Sequence, residues 1–295
     1  METYRLTIEY EGTRYRGWQV QQNARSVAGE LLRALAAAGA PVAELGGSGR
    51  TDAGVHALAQ SAHLRLRERR DPEALRRAVN AELARDVHVL AIAAAPARFH
   101  ARHDALLRSY LYQVSRRRTA FAKPFVWWVR DRLDLAAMGR AAALLPGRHD
   151  FARFCERPAE QESTLCQVDS VTVAEAEALV LVRIVASHFL WKMVRRLVGA
   201  LVRVGTGKLG DEELTALLGG GELSAGRPGP GPGSGPAAGP ASGRNPAEWT
   251  APPSGLFLER VLYRGDPPLG PPRPVTPVPL EPRPRPPAKG ARPQR

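Results

Sequence analysis

The chain has 295 residues, 44% hydrophobic and 24% charged, with 42 Lys+Arg against 29 Asp+Glu and a formal net charge of +13; it is long enough for one large domain or two medium ones with a real core. Residues 266–295 hold six Arg/Lys against two Asp/Glu, so +9 of the surplus belongs to the body, and a folded body so charged attracts polyanions, nucleic acid above all. Cys155 and Cys166 form no C-x-x-C and His149 lies at no zinc-like spacing from them, which argues against a zinc site or a disulfide framework and for reduced, buried thiols in a cytoplasmic protein. The N-terminus lacks a signal peptide's basic-then-apolar plan, and no run approaches ~18 apolar residues, so no membrane span is expected.

Tyr4, Leu6, Ile8 and Tyr10 alternate with polar residues and predict a strand. Ser26 N-caps a helix through Leu31, Leu32 and Leu35 that Gly39 ends. Ala62, Leu64 and Leu66 mark a second strand, Asp71-Pro72 opens a helix to about Leu83, and Val87–Ile92 is a third strand. In the second half, Tyr110–Val114 is a strand, and Asp134 caps a helix through Met138 and Leu144, stopped by Pro146-Gly147. Strands follow at Leu165–Val173 and Leu179–Ala186. Ser187 then caps a long helix with Leu190, Met193, Val194, Leu197, Val198 and Leu201 on one face, and Gly255–Tyr263 is the last strand.

This order predicts an α+β protein of two halves, residues 1–105 and 106–265, each a sheet backed by helices. Residues 219–243 contain ten Gly and five Pro in 25 positions and read as a disordered insertion. Residues 266–295 contain 12 Pro and read as a disordered, mobile basic tail.

Gly47-Ser48-Gly49-Arg50-Thr51-Asp52-Ala53-Gly54-Val55-His56 is the chemically richest string. Glycines permit close approach of a ligand. A nearby arginine favours an ionised carboxylate, which a nucleophile or general base requires. On residue types alone, an Asp-Ala-Gly turn on a solvated loop is the better reading. Gly46-Gly47-Ser48-Gly49 lacks the Gly-Lys-Ser/Thr of a P-loop and is no G-x-G-x-x-G fingerprint.

Four further strings stand in order around this loop: Ile8–Gln19, Phe99-His100-Ala101-Arg102 with Tyr110-Leu111-Tyr112, Met193–Gly199, and Thr250-Ala251-Pro252 with Gly255-Leu256. With them the chain resembles the tRNA pseudouridine synthase A family over roughly residues 4–263. The resemblance implies the pseudouridine synthase fold, in two similar domains, each a mixed or antiparallel sheet backed by helices, forming a basic cleft. It implies a cofactor-independent, metal-free isomerase and a homodimer. The substrate implied is tRNA, at uridines 38, 39 and 40 of the anticodon stem-loop in tRNA numbering.

By the same resemblance Asp52 is the essential aspartate, attacking the ribose C1′ or removing the C2′ proton; the sequence does not separate the two routes. Arg195 pairs with Asp52, although on helical pattern alone it is a solvated arginine. Tyr110 stacks on the extruded uracil and its hydroxyl helps move the C5 proton, although on strand pattern alone it is a core residue, as Tyr112 is. Arg50 fills the space the uridine vacates, or contacts a phosphate. Arg14, Arg16, His100, Arg102 and Arg196 are candidate RNA-backbone contacts. His56 and His63 read as packed or solvated, and Trp127-Trp128 as core or dimer contact. The rival reading, a non-catalytic RNA-binding protein, has no use for a carboxylate that repels phosphate.

Overall fold

The computed structural model describes residues 1–156, 163–219 and 244–280. The predicted alternation at the N-terminus forms β1 (Glu2–Tyr10), with Tyr4, Leu6, Ile8 and Tyr10 all buried. The Ser26 hydroxyl accepts from Gly29 N–H to start α1 (Val27–Ala37), and Gly39 turns out of it at φ +67°. β2 (Val42–Gly47), β3 (His56–Leu66), α2 (Pro72–Glu82), capped by Asp71, and β4 (Val87–Ala94) complete the first half. The second contains β5 (Leu107–Ser115), β6 (Trp127–Trp128), α3 (Leu135–Ala142), β7 (Gly147–Asp150), β8 (Leu165–Ala176), β9 (Leu179–Ala186), α4 (Met193–Gly205), α5 (Asp211–Leu217) and β10 (Leu256–Leu262).

The ten strands of the described residues form one mixed, mainly antiparallel sheet in the order β4-β1-β3-β10-β5-β9-β8-β7, with β2 added to β3 and β6 to β5. The sheet runs unbroken across the expected boundary at residue 105. The last strand in sequence, β10, sits at its centre, parallel to β3 and antiparallel to β5. Leu31 and Leu35 of α1, Val79 of α2, Met138 of α3 and Leu197 and Leu201 of α4 pack on one face in a single cluster. No helix among the described residues is long and apolar enough to cross a membrane.

Two expectations are corrected. Ser187 does not cap α4: its hydroxyl lies 3.0 Å from His188 Nδ1, and the helix starts six residues later behind Lys192, held at φ +62°. The apolar spacing misled because Leu190 is buried from a turn, not from a helix. Residues 266–280 are also not a free tail. Asp266 pairs with Arg5, Gly270 O accepts from Arg183, Val275 N–H donates to Gln113, and Val278 O accepts from Ala178 N–H. Val278 is buried with Leu111, Leu179 and Leu181 on the sheet face opposite the helices. This strap is why every residue of β9 is buried. Residues 281–295 and, apart from Gly219, the predicted insertion lie outside the described residues.

The strap yields a stability prediction. Val278→Asp, or ending the chain after Gly265, exposes Leu179 and Leu181, costs about 2 kcal/mol or more and lowers Tm by ~4–8 °C. Thermal melts followed by circular dichroism measure it, and an unchanged Tm contradicts it.

Candidate active site

Asp52 lies in the loop joining β2 to β3, which is braced from both sides. Ser48 N–H donates to Ser61 O at 2.8 Å, and Gln60 Nε2 donates to Gly49 O at 3.0 Å. Trp18 N–H reaches Thr51 O at 3.1 Å, Gly54 N–H reaches Tyr15 O at 3.2 Å, and the Tyr10 and Thr51 hydroxyls are 2.8 Å apart. Gly17, at φ +95°, is required here: a Cβ on it would stand 2.4 Å from Thr51 O. The Gly-Trp of the first string is therefore a brace for the aspartate loop.

Arg195 occupies the first turn of α4. Its Nη1 stands 3.5 Å from Asp52 Oδ2, and its Nε donates to Ala251 O at 2.7 Å, while Ala251 N–H returns to Arg195 O at 3.1 Å. Gly199 makes this possible, because a Cβ there would lie 1.7 Å from Trp249 O. The segment before β10 thus lies directly on α4 and aims the guanidinium. The side chains of Arg195 and Asp52 are 14% and 23% exposed, so their attraction is only partly screened by water.

Burial pushes the Asp52 carboxyl above its ordinary range; Arg195 opposes this most, followed by Lys192 and the Trp191 indole. The cation expected from within the loop, Arg50, is exposed. Sequence reasoning missed Trp191 and Lys192, and their only signal was adjacency to the Met193–Gly199 string.

Tyr110 is 9% exposed on β5 and meets Phe189 edge-on, with centroids 5.0 Å apart. Burial raises its hydroxyl's pKa strongly, Tyr10 and Asp52 push the same way, and Arg108 opposes them. The phenol is therefore a protonated donor. Tyr112, two residues on, donates to Pro252 O at 2.7 Å and is packed in the core.

Arg50, His100 and Arg102 line one cavity of about 270 Å³ together with Trp18, Gln19, Glu44 and His63. Arg14 and Arg16 are exposed on the loop after β1 and do not line that cavity, although Trp18 and Gln19 of the same loop do. Arg196 is corrected: it is 8% exposed, donates to Cys155 O and faces Glu156, so it presents no free face to a ligand. His56 is buried, accepts from Gly12 N–H, bonds Pro124 O and stacks on Phe257. Trp127 packs on Tyr112, while Trp128 is exposed.

Glu44, His63 and His100 come close enough to suggest a metal site. Their hydrogen bonds argue otherwise. His63 Nδ1 accepts from Ala101 N–H, and His100 Nδ1 accepts from Arg102 N–H. Each ring's proton is thereby assigned to Nε2, which in His63 lies 3.1 Å from Glu44 Oε1. A ligating histidine needs a bare nitrogen facing the ion and a donor on the other side, the reverse of this arrangement.

A braced, largely buried carboxylate facing an aimed arginine is an arrangement capable of acid–base or nucleophilic chemistry; the cavity bearing Arg50 and Arg102 is lined by other residues. A family model described as tRNA pseudouridine synthase matches residues 6–104 and 141–225. The tRNA pseudouridine synthase A of Syntrophotalea carbinolica is 42% identical over 265 residues, covering 89% of this chain and 97% of that protein. Those of Sinorhizobium fredii and Mesorhizobium japonicum are 37% and 39% identical over 268 residues, covering 89% of this chain and all of theirs. The chain belongs to the tRNA pseudouridine synthase A family.

The raised Asp52 pKa has a stability consequence. An acid whose folded pKa exceeds its unfolded value favours the native state when protonated, so its contribution is lost as pH rises through the folded pKa. At neutral pH the ionised carboxylate therefore costs stability. Asp52→Asn is expected to raise Tm at pH 7, with the gain vanishing below the ordinary carboxylate range. An equal or lower Tm at pH 7 contradicts the desolvation argument.

Proposed function

We propose that this protein converts uridine to pseudouridine at positions 38, 39 and 40 of tRNA anticodon arms, with Asp52 acting on the ribose. The observation that carries the reading is the Asp52–Arg195 pair, aimed by Ala251 and partly shielded from water. The reaction breaks the N1–C1′ bond, turns the base and rebonds it through C5, with no net redox change. Asp52 must be ionised either to attack C1′ or to take the C2′ proton. Burial opposes ionisation and Arg195 offsets it.

Tyr110 bounds the base, and its hydroxyl relays the C5 proton, accepting it as its own proton passes on toward solvent; its edge contact with Phe189 fixes its ring. A stem uridine must leave the stack at a cost of a few kcal/mol. Arg50, exposed at the rim of the cavity, enters the vacated space as a planar, always-charged group. His100 and Arg102 on the same cavity, with Arg14 and Arg16 on the neighbouring loop, meet the backbone. The halves 1–105 and 106–265 act as two similar domains joined at β3 and β10 that together form a basic cleft. Exposed Phe121 and Trp128 support a homodimer. The cytoplasm, where tRNA is processed, is the compartment this activity requires.

Pseudouridine mapping on tRNA treated with wild type and Asp52→Ala tests the reading. The variant is expected to bind tRNA and to lose activity by ~10³-fold or more; normal turnover by it sinks the assignment. Arg195→Gln is expected to move the acid limb of the rate profile to higher pH, because the opposing cation is gone, and an unmoved limb removes Arg195 from this role. Arg50→Lys should lower the rate on stem uridines more than on an already unpaired uridine, and equal losses on both reduce Arg50 to a phosphate contact.

A further inference from the structure

Arg108 has an unusual environment among the described arginines. It stands at the start of β5, on the same face as Tyr110, and is half-buried. No carboxylate lies within 4.0 Å of it among the described residues. Its partners are four backbone carbonyls. Nη1 donates to Ser187 O at 2.6 Å and Ala105 O at 3.1 Å; Nη2 donates to Arg102 O at 2.7 Å and Ser48 O at 3.2 Å. All four terminal N–H groups are used.

The positions of these carbonyls matter. Ser48 follows the last residue of β2, where the loop carrying Arg50 and Asp52 leaves the sheet. Ser187 follows the last residue of β9, where the segment carrying Phe189, Trp191 and Lys192 leaves toward Arg195. Arg102 and Ala105 belong to the connection between the halves. One guanidinium therefore ties together the roots of both loops that bring the ion pair together. Removing water from an uncompensated cation is costly, and here carbonyl dipoles offset the loss.

We infer that Arg108 is a positioning residue for pseudouridine formation, fixing the separation of the two loop roots and hence the meeting of Asp52, Tyr110 and Arg195. The inference rests on the proposed reaction. It touches no reacting atom, so its loss acts through geometry, and an ångström of misplacement at a reacting centre costs about 10²-fold in rate. Lysine keeps the charge but cannot span four carbonyls from one nitrogen.

The test compares wild type, Arg108→Lys and Arg108→Ala as full chains on tRNA. Both variants are expected to lose about 10- to 100-fold in kcat, with KM within about threefold and the acid limb of the kcat profile moved upward. Millimolar guanidinium is expected to restore part of the activity of Arg108→Ala. Amide exchange should quicken at 48–55 and 187–192 and not in β1 or β4. Wild-type kcat in Arg108→Lys overturns the inference. So does a rate loss with an unmoved acid limb, no guanidinium rescue and uniform exchange, the pattern of a merely destabilised fold. A wild type that makes no pseudouridine overturns the reaction instead, and the exchange result still judges the clamp.

Discussion

The constraint on which the rest depends is the short parallel seam between β3 and β10. It has two register positions, Phe257 opposite His56 and Leu258 opposite Ala57. Parallel strands start at the same end, so the segments that precede them emerge side by side. The loop before β3 carries Asp52, and the segment before β10 carries Ala251. The seam alone therefore brings the carboxylate near the carbonyl that aims its arginine. β10 also lies antiparallel to β5 with Leu258 opposite Tyr110, which sets the tyrosine at the same level. Residues scattered from 52 to 251 meet because the final strand is inserted at the centre of the sheet and not added at its edge.

Given that meeting point, electrostatics is a contest between burial and compensation. Shielding from water makes a carboxylate more reactive toward the sugar and also harder to ionise. Arg195 offsets part of the burial cost, although burial still outweighs it, and it does so without leaving the pair exposed, because its Nε is bound to the Ala251 carbonyl. Lys192, in the left-handed backbone region at φ +62°, is strained for a residue with a Cβ. Its ion pair with Glu156, together with the bond from Glu156 N–H to Trp191 O, holds that turn where its charge acts on Asp52.

Local pattern made most of the fold readable. Caps such as Ser26, Asp71 and Asp134, the alternation of β1 and the apolar run of β9 carry their own signals, because those residues bond within a turn, bury every second side chain or are buried on both sheet faces. The elements that were not readable lack such a signal. β2 ends in two glycines and α5 is seven residues long. β6 is two residues long and exists only because β5 offers an edge. The strap at 266–280 deceived for a related reason. Proline-rich composition predicts an extended chain, and the segment is extended; composition does not report that a sheet face with buried Leu179 and Leu181 awaits it.

The site was readable in proportion to how far each role depends on residue type. Asp52 drew notice through its setting among glycines and beside Arg50, but residue types alone favoured a solvated turn, and only its resemblance to the family's aspartate raised it to the leading candidate. Arginine is written the same way whatever it does. Arg195 faces a carboxylate, Arg108 faces four carbonyls, Arg196 is closed against Cys155 and Glu156, and Arg50 is exposed beside a cavity. Burial and partner decide these four tasks, and both follow from which strand ends the topology juxtaposes. The cation that faces Asp52 is Arg195 of the α4 turn, as the resemblance implied, and not its loop neighbour Arg50. The loop arginine, left exposed and uncommitted, is the one whose charge and planar face remain available to RNA.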